Sequence, residues 1–436
     1  MKPILSFLIA SLAASIAFAD TISLSLNNDS GVYQKGETII VTANSVTNAP
    51  TDGKKSTTLL SLKVLKNNDE VLLEKELTVL DNENIIYETT LDEPSSLIIE
   101  ATFGDAKDTI GAIVAPDQLQ PGSPRPHDFD TFWKAKKQAI AALPLEVDLQ
   151  PIDLEASDAG YAAFDVEINA PGPRPARAIF VKPANAVPKS LPIVLNLHAA
   201  GVKGDWCRAH LWEAVANAKK GNGALSFDLN AHGMLNHEDE TYYEELENGP
   251  LKNYWDHGNT SREDYYFLNM YARMLRSIEF LTQQPEWDGQ RILVIGESQG
   301  GGQALAAAGL DPRVTAAVVT VPAMCDFGGP LANRKGGWPQ PIDWNRDNPK
   351  VVETAPYFDA AHLLAGSQAT IVVEIGLIDE TCPSTSIYAA VNQAAKDAII
   401  YPVTYRTHGW PEGDDLAEWE TSVRSAKNTF IDDYLK

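Results

Sequence analysis

Between Asp20 and about Ala115, hydrophobic and polar positions alternate with a period of two. Residues 39–42 form a β-branched run after a turn at Gly36, and Leu97, Ile99, Ala101 and Phe103 alternate with Ile98, Glu100 and Thr102. Residues 59–66 and 70–78, joined by Asn67-Asn68-Asp69, predict a hairpin. About seven short strands with turn signals between them predict a small immunoglobulin-like β-sandwich over residues 20–115. That segment holds no His and no Cys, so it is assigned no chemistry. It reads as a packing or spacing module, with a sugar-binding module as the alternative.

The pattern changes at Ala115-Pro116 and at the proline-rich residues 121–126, which read as a linker. Beyond it, strand-like and helix-like segments alternate. Residues 164–168, 178–181, 193–197, 224–227, 292–295, 316–321, 371–375 and 399–405 are β-rich, whereas 211–220, 265–282 and 303–308 suit helices. Continuous apolar strands separated by helices predict an α/β catalytic domain over residues 116–436, with a mainly parallel sheet covered by helices. Ligands on such sheets sit at the carboxyl ends of the strands, so chemistry is sought in the loops that follow them.

The first residues add a destination. One charge at Lys2, an apolar run over residues 4–16 and Ala17-Phe18-Ala19 before Asp20 match a secretory signal peptide over residues 1–19. Export to the periplasm or the extracellular space is expected, with an uncleaved anchor as the alternative. No Cys follows the cut, which argues against a lipoprotein. No later run approaches the ~20 apolar residues of a membrane span, so no membrane association is expected after cleavage.

The formal net charge of −24, from 59 acidic and 35 basic residues among 436, repels phosphate backbones and anionic head groups and excludes nucleic acid as a partner. The three cysteines, Cys207, Cys325 and Cys382, form neither a disulfide framework nor a CxxC metal motif. A Cys207–Cys382 disulfide after export stays open, since both lie on loops near the predicted catalytic edge.

At the end of the strand 291–295 stands Gly296-Glu297-Ser298-Gln299-Gly300, followed by Gly301, Gly302 and a helix-forming run. A strand feeding a helix through one residue strains the backbone at Ser298, and flanking glycines let the chains pass; this is a nucleophile elbow. A serine hydroxyl needs a base, and the base an orienting acid. In α/β-hydrolases the order is serine, acid, histidine. Asp379 follows the strand 371–375 and His408 the strand 399–405. Glu380 is the nearest rival acid, Asp414 and Asp415 fail the order, and His362 reads as structural. The oxyanion hole is expected to combine the Gln299 N–H with one from the loop 198–201. His198 is expected to fix that loop by hydrogen bonding rather than act as a base. His232 is a candidate pocket residue, with a satisfied turn histidine as the alternative.

At these residues the sequence resembles carbohydrate esterase family 7, the acetyl xylan esterase and cephalosporin C deacetylase family, over about residues 116–436. The resemblance rests on Asp128-Phe129-Asp130 with Phe132-Trp133, the Tyr265-Tyr266 helix, Gly296-Glu297-Ser298-Gln299-Gly300-Gly301, and Gly376-Leu377-Ile378-Asp379 with Cys382-Pro383-Ser384. It implies an α/β-hydrolase fold, a Ser298, Asp379 and His408 triad, no cofactor and no metal, and removal of acetyl groups from sugars. Two positions depart from it. Where the family has His-Gly-Tyr this chain has His198-Ala199-Ala200, so the second oxyanion amide falls on Ala200 without the tyrosine ring. Where it has Arg-Gly-Gln this chain has Asn230-Ala231-His232. The added sandwich separates the chain from single-domain members, so their ring-like hexamer does not carry over, although an oligomer remains open.

The expected function is thus a secreted serine esterase acting on acetylated oligo- or polysaccharides. The alternatives are an α/β-hydrolase of other specificity, such as a peptidase or thioesterase, and a non-catalytic carbohydrate-binding protein. Residues 322–349 form a long Gly- and Pro-rich loop with Trp338 and Trp344, expected to be functional or interfacial. Trp338 and Trp410, the latter two residues past His408, are candidate pocket walls. The acidic run 238–247 avoids the triad segments, and the overall charge favours neutral acetyl sugars over polyanionic glycans.

Overall fold

The computed structural model describes residues 20–46, 57–80 and 82–436; the leader read over residues 1–19 lies outside them. In chain order the strands of the N-terminal part are β1 (Thr21–Leu26), β2 (Val32–Tyr33), β3 (Thr38–Val46), β4 (Thr57–Lys66), β5 (Glu70–Leu80), β6 (Asn82–Thr90), β7 (Ser95–Phe103) and β8 (Ala106–Val114). They pair as a three-stranded sheet, β1-β3-β6, and a five-stranded sheet, β2-β8-β7-β4-β5. The alternation seen in the sequence is the packing. Ile39, Val41 and Ala43 of β3 meet Leu60, Leu62 and Val64 of β4 and Leu97, Ile99 and Ala101 of β7 in one buried cluster. One departure is instructive: β7 is buried on both faces at its start, because Ile98, on the outer face, packs with Leu65 against Ile378 of the large domain.

The large sheet contains β9 (Val147–Ile152), β10 (Tyr161–Ile168), β11 (Ala176–Pro183), β12 (Leu191–Leu197), β13 (Leu225–Asn230), β14 (Trp287–Glu297), β15 (Ala316–Thr320), β16 (Thr370–Gly376) and β17 (Ile399–Val403). Its order is β17-β16-β15-β14-β12-β13-β11-β10-β9. Pairings from β13 through β12 to β17 are parallel, and those joining β9, β10, β11 and β13 are antiparallel. The helices that matter for the site are α1 (Phe129–Ala141), α2 (Leu211–Ala218), α3 (Glu240–Asn248), α4 (Tyr266–Thr282) and α5 (Gln299–Leu310). Apolar runs in the strands bury both faces: Ile193, Leu195, Ile292 and Val294 face α4 and α5, whereas Val194, Leu293 and Val318 face the C-terminal helix through Ile431 and Leu435. The chain leaves β12 for β13 on one side and returns to β14 on the other, a switch in strand order that opens a crevice at the carboxyl edge.

Two expectations are corrected. The proline-rich residues 121–126 are no free linker: the Gly122 N–H donates to Asp326 Oδ1 at 2.7 Å, and a Cβ at Gly122 would lie 2.1 Å from the Gly328 carbonyl oxygen. Residues 322–349, read as one long loop, carry two short helical turns, Gly329–Ala332 and Pro341–Trp344, and are largely buried. Their path is held by the Asp359 carboxylate, whose Oδ1 accepts the Asp326 N–H at 2.8 Å and whose Oδ2 accepts the Phe327 N–H at 2.6 Å. Trp344 is exposed, but Trp338 is half-buried.

Candidate active site

Ser298 occupies the single position between β14 and α5, at φ +52° and ψ −119°, a conformation that costs a non-glycine residue roughly 1–3 kcal/mol. The glycines around it are close contacts. A Cβ at Gly296 would lie 2.2 Å from the Gly300 backbone, and one at Gly300 would lie 2.1 Å from the Leu197 carbonyl oxygen. The Ser298 N–H donates to the Thr320 carbonyl at 3.0 Å, and its carbonyl accepts the Ala323 N–H at 2.8 Å. The neighbouring strand and loop therefore hold the strained turn, which raises the hydroxyl above the sheet.

The hydroxyl finds its partners across two later strands. Ser298 Oγ lies 2.9 Å from His408 Nε2, and His408 Nδ1 lies 2.9 Å from Asp379 Oδ2. With Nδ1 protonated, His408 donates to Asp379 and leaves Nε2 free to accept from Ser298. The other carboxylate oxygen, Asp379 Oδ1, accepts the N–H groups of Thr381 and Cys382, each at 2.8 Å. Asp379 is fully buried, whereas the His408 side chain is 29% exposed and open to the cleft. Glu380, the rival acid, is exposed.

The loop after β12 is set by residues behind it. His232 is fully buried and does not line the cleft, which corrects the pocket reading. Its Nε2 lies 3.0 Å from the Gly201 carbonyl and its Nδ1 2.7 Å from the Tyr266 hydroxyl. Burial, reinforced by the Arg273 charge, pushes its pKa down to about 3. The neutral ring thus donates to Gly201 and accepts from Tyr266. The Tyr254 hydroxyl donates to Gln299 Oε1 at 2.5 Å and accepts the Gly201 N–H at 3.4 Å, so the elbow and this loop share one brace. Trp206 Nε1 donates to the Ala200 carbonyl at 3.0 Å. His198 is buried, with Nε2 bonded to Asp228; burial lowers its pKa, but the Asp228 charge and hydrogen bond outweigh this and the net shift is upward.

These residues open onto a cleft of about 730 Å³ lined by His198, Ala199, Ala200, Trp206, Ser298, Trp338, His408 and Trp410, together with Asn196, Glu297 and Thr320 from the strands and Glu213 from α2. Trp206 is 67% and Trp410 53% exposed. Trp410 stands against Trp419, ring centroids 5.4 Å apart. Two carboxyl groups, Glu213 and Glu297, line the cleft; burial raises the pKa of both, and Glu297 faces Arg406 at 3.4 Å. Trp206 and Tyr254 were not among the sequence candidates for the site. Trp206 had a signal, because it shares the β12 loop with Ala200; Tyr254, on a short turn before α4, had none.

Among the described residues two clusters have metal-ligand spacing: Asp379, Cys382 and His408, and His198, Glu213 and Asp228. Their donor atoms are engaged with each other or with amides. His408 uses both nitrogens, and Asp228 holds His198, Asn196 and the His210 N–H. Burial beside Asp379 pushes the Cys382 thiol well up, against the thiolate that a metal requires. All three cysteines are buried free thiols, so Cys207 and Cys382 do not form a disulfide. A second serine–histidine contact, Ser123 Oγ to His362 Nε2 at 3.3 Å, is made by the proline-rich segment 121–126 itself. It lines no part of the cleft, and burial, with the Arg125 charge, lowers the His362 pKa to about 4. It is a structural contact.

Behind His408 lies a buried charge network. Arg406, two residues before His408, faces Glu374 at 2.9 Å. Glu374 also accepts from Trp419 Nε1 at 2.7 Å and from Lys427.

The chain matches the acetyl xylan esterase family over residues 117–420. It is 30% identical over 340 residues to acetyl esterase Axe7A of Xylanibacter ruminicola, covering 75% of this chain and 74% of that one. Its fold is similar to that of an acetyl xylan esterase from Paenibacillus sp. R4, with a TM-score of 0.59, 25% identity and coverage of 73% of this chain and 98% of the other. It is also similar to that of acetyl xylan esterase 1 from Thermoanaerobacterium sp. JW/SL YS485, with a TM-score of 0.53, 19% identity and coverage of 72% and 97%. With the elbow, the crevice and the family match in agreement, the chain belongs to the acetyl xylan esterase family and is a carboxylic ester hydrolase of the α/β-hydrolase superfamily.

Proposed function

We propose that the protein is an exported serine esterase that removes acetyl groups from neutral oligo- or polysaccharides, with Ser298 as nucleophile, His408 as base and Asp379 as orienting acid. The observation that carries this reading is the unbroken chain of contacts from Ser298 Oγ to His408 Nε2 and from His408 Nδ1 to Asp379 Oδ2, both 2.9 Å. His408 Nε2 takes the hydroxyl proton as Ser298 Oγ attacks the acetyl carbonyl. Asp379 keeps the proton on Nδ1 and stabilises the imidazolium that forms. The N–H of Gln299, at the start of α5 where no intrahelical acceptor exists, and that of Ala200 receive the oxyanion. His408 returns its proton to the departing sugar oxygen, and water repeats the cycle on the acetyl-enzyme, releasing acetate and restoring Ser298.

The exposed tryptophans Trp206 and Trp410, with half-buried Trp338 in the cleft wall, support sugar rather than peptide as the leaving group, because flat rings present apolar faces to pyranose C–H groups. The acidic lining of Glu213 and Glu297 supports neutral over polyanionic glycans. The leader pattern of residues 1–19 supports export, and the N-terminal sequence of the mature protein, expected to begin at Asp20, checks it. Turnover of acetylated xylo-oligosaccharides, aryl thioacetates and short peptides tests specificity. Sugar acetates are expected to exceed the other two in kcat/KM by about a hundredfold or more; preference for a thioester or peptide would replace this reading with another hydrolase specificity.

A further inference from the structure

The β4–β5 hairpin of the small sandwich reaches the loop that carries Asp379. Its tip residues Asn67 and Asn68 have φ +55° and +61°, and the Asp69 N–H returns to the Lys66 carbonyl at 3.1 Å. This is the geometry of a type I′ turn, in which asparagine tolerates the left-handed backbone. The two asparagines point in different directions. Asn67 ties the tip to its own sheet: its Oδ1 accepts the Ser96 N–H at 3.1 Å, and its N–H donates to the Ser96 carbonyl at 3.0 Å. Asn68 instead turns outward, and its Nδ2 donates to the main-chain carbonyl of Asp379 at 2.9 Å, a contact between residues 311 apart in sequence.

The contact sits in a wider footing. Leu65 and Ile98 pack on Ile378, the residue before Asp379. The Gly111 N–H donates to the Thr404 carbonyl at 2.8 Å, four residues before His408, and a Cβ at Gly111 would meet the Leu377 backbone at 2.6 Å. The sandwich therefore presses on both segments that deliver the acid and the base. Thr381 and Cys382 orient the Asp379 carboxylate from within the loop; Asn68 is the group from the sandwich that grips the main chain of the same residue.

We infer that Asn68 is a positioning residue for Asp379, and that the β-sandwich is a working part of the active site rather than a spacer. The inference rests on the Ser298, His408 and Asp379 reading above. Without the Asn68 amide the acid loop is free to shift, the His408 ring loses its fixed orientation, and the chemical step slows while substrate binding is unchanged.

Full-length wild type, Asn68→Gly, Asn68→Asp and Ser298→Ala, assayed on an aryl acetate, test it. Glycine keeps the left-handed turn and removes only the amide; aspartate keeps the shape and turns a carboxylate oxygen toward the Asp379 carbonyl. Per mole of folded enzyme, Asn68→Gly is expected to lower kcat about tenfold with KM within about twofold of wild type, and to slow fluorophosphonate labelling of Ser298 in proportion. Asn68→Asp is expected to fall further and to melt lower, whereas Asn68→Gly melts near wild type. A kcat for Asn68→Gly within about twofold of wild type, or a loss explained wholly by less folded enzyme, overturns the inference while leaving the triad intact. Wild-type activity in Ser298→Ala overturns the triad reading, and the inference with it.

Discussion

Ser298 keeps a strained backbone because glycines two residues to either side allow three stretches of main chain to meet. Gly300 is the tightest of them, with the Leu197 carbonyl where a Cβ would stand, 2.1 Å away. That obstacle is backbone at the centre of the sheet and has no side-chain rotation by which to yield. Gly300→Ala is therefore expected to cost about 3 kcal/mol or more, read from urea unfolding; a loss below about 1 kcal/mol would mean that the elbow is looser than its geometry indicates. At this scale the contacting set Ser298, His408 and Asp379 was legible, because the three residues follow strand ends in the order that the fold demands. His232 was harder to read, since a histidine after a strand is equally suited to a pocket wall or a loop brace. Only the positions of Gly201 and Tyr266 decide between them. The Asn68 contact spans 311 residues, and no local pattern carries such information.

At the scale of elements, the strands of both domains were visible as a period of two followed by continuous apolar runs. The segments between them were misjudged because Gly- and Pro-rich composition signals irregular backbone, not exposure. Residues 121–126 are irregular yet anchored by the Gly122 N–H on Asp326, and much of 322–349 is buried, where the Asp359 carboxylate takes the place of a sheet partner for the Asp326 and Phe327 amides. The loops that carry Trp206 and Trp410 do reach solvent on the rim of the cleft. Replacing Trp410 with alanine is expected to raise KM for an acetylated oligosaccharide about tenfold, the equivalent of ~1.4 kcal/mol of lost contact, while kcat on a small aryl acetate stays near the parental value. Equal losses on both substrates would assign this ring to stability instead.

For the whole molecule, burial and charge together set the pH range of the fold. His232 and His362 are neutral in the native state, with pKa values pushed down to about 3 and about 4 from an ordinary 6.5. The unfolded chain therefore binds more protons than the native one below the ordinary value. The stability these histidines permit is fully present above pH 6.5 and is lost as pH falls toward their native pKa values. Each contributes a slope of up to roughly 1.4 kcal/mol per pH unit in that window. Urea unfolding of His362→Gln between pH 6 and pH 5 is expected to show a shallower slope than wild type by about one proton; identical slopes would place His362 in a protonated native state.

The most direct test of Ser298-dependent sugar deacetylation is acetate release from an acetylated neutral xylo-oligosaccharide by wild type and by Ser298→Ala. The contacts from Ser298 through His408 to Asp379 lead us to expect sustained release by the parent and a fall in kcat/KM of about 10⁴-fold or more in the variant. Release by the variant at the wild-type rate would contradict the mechanism.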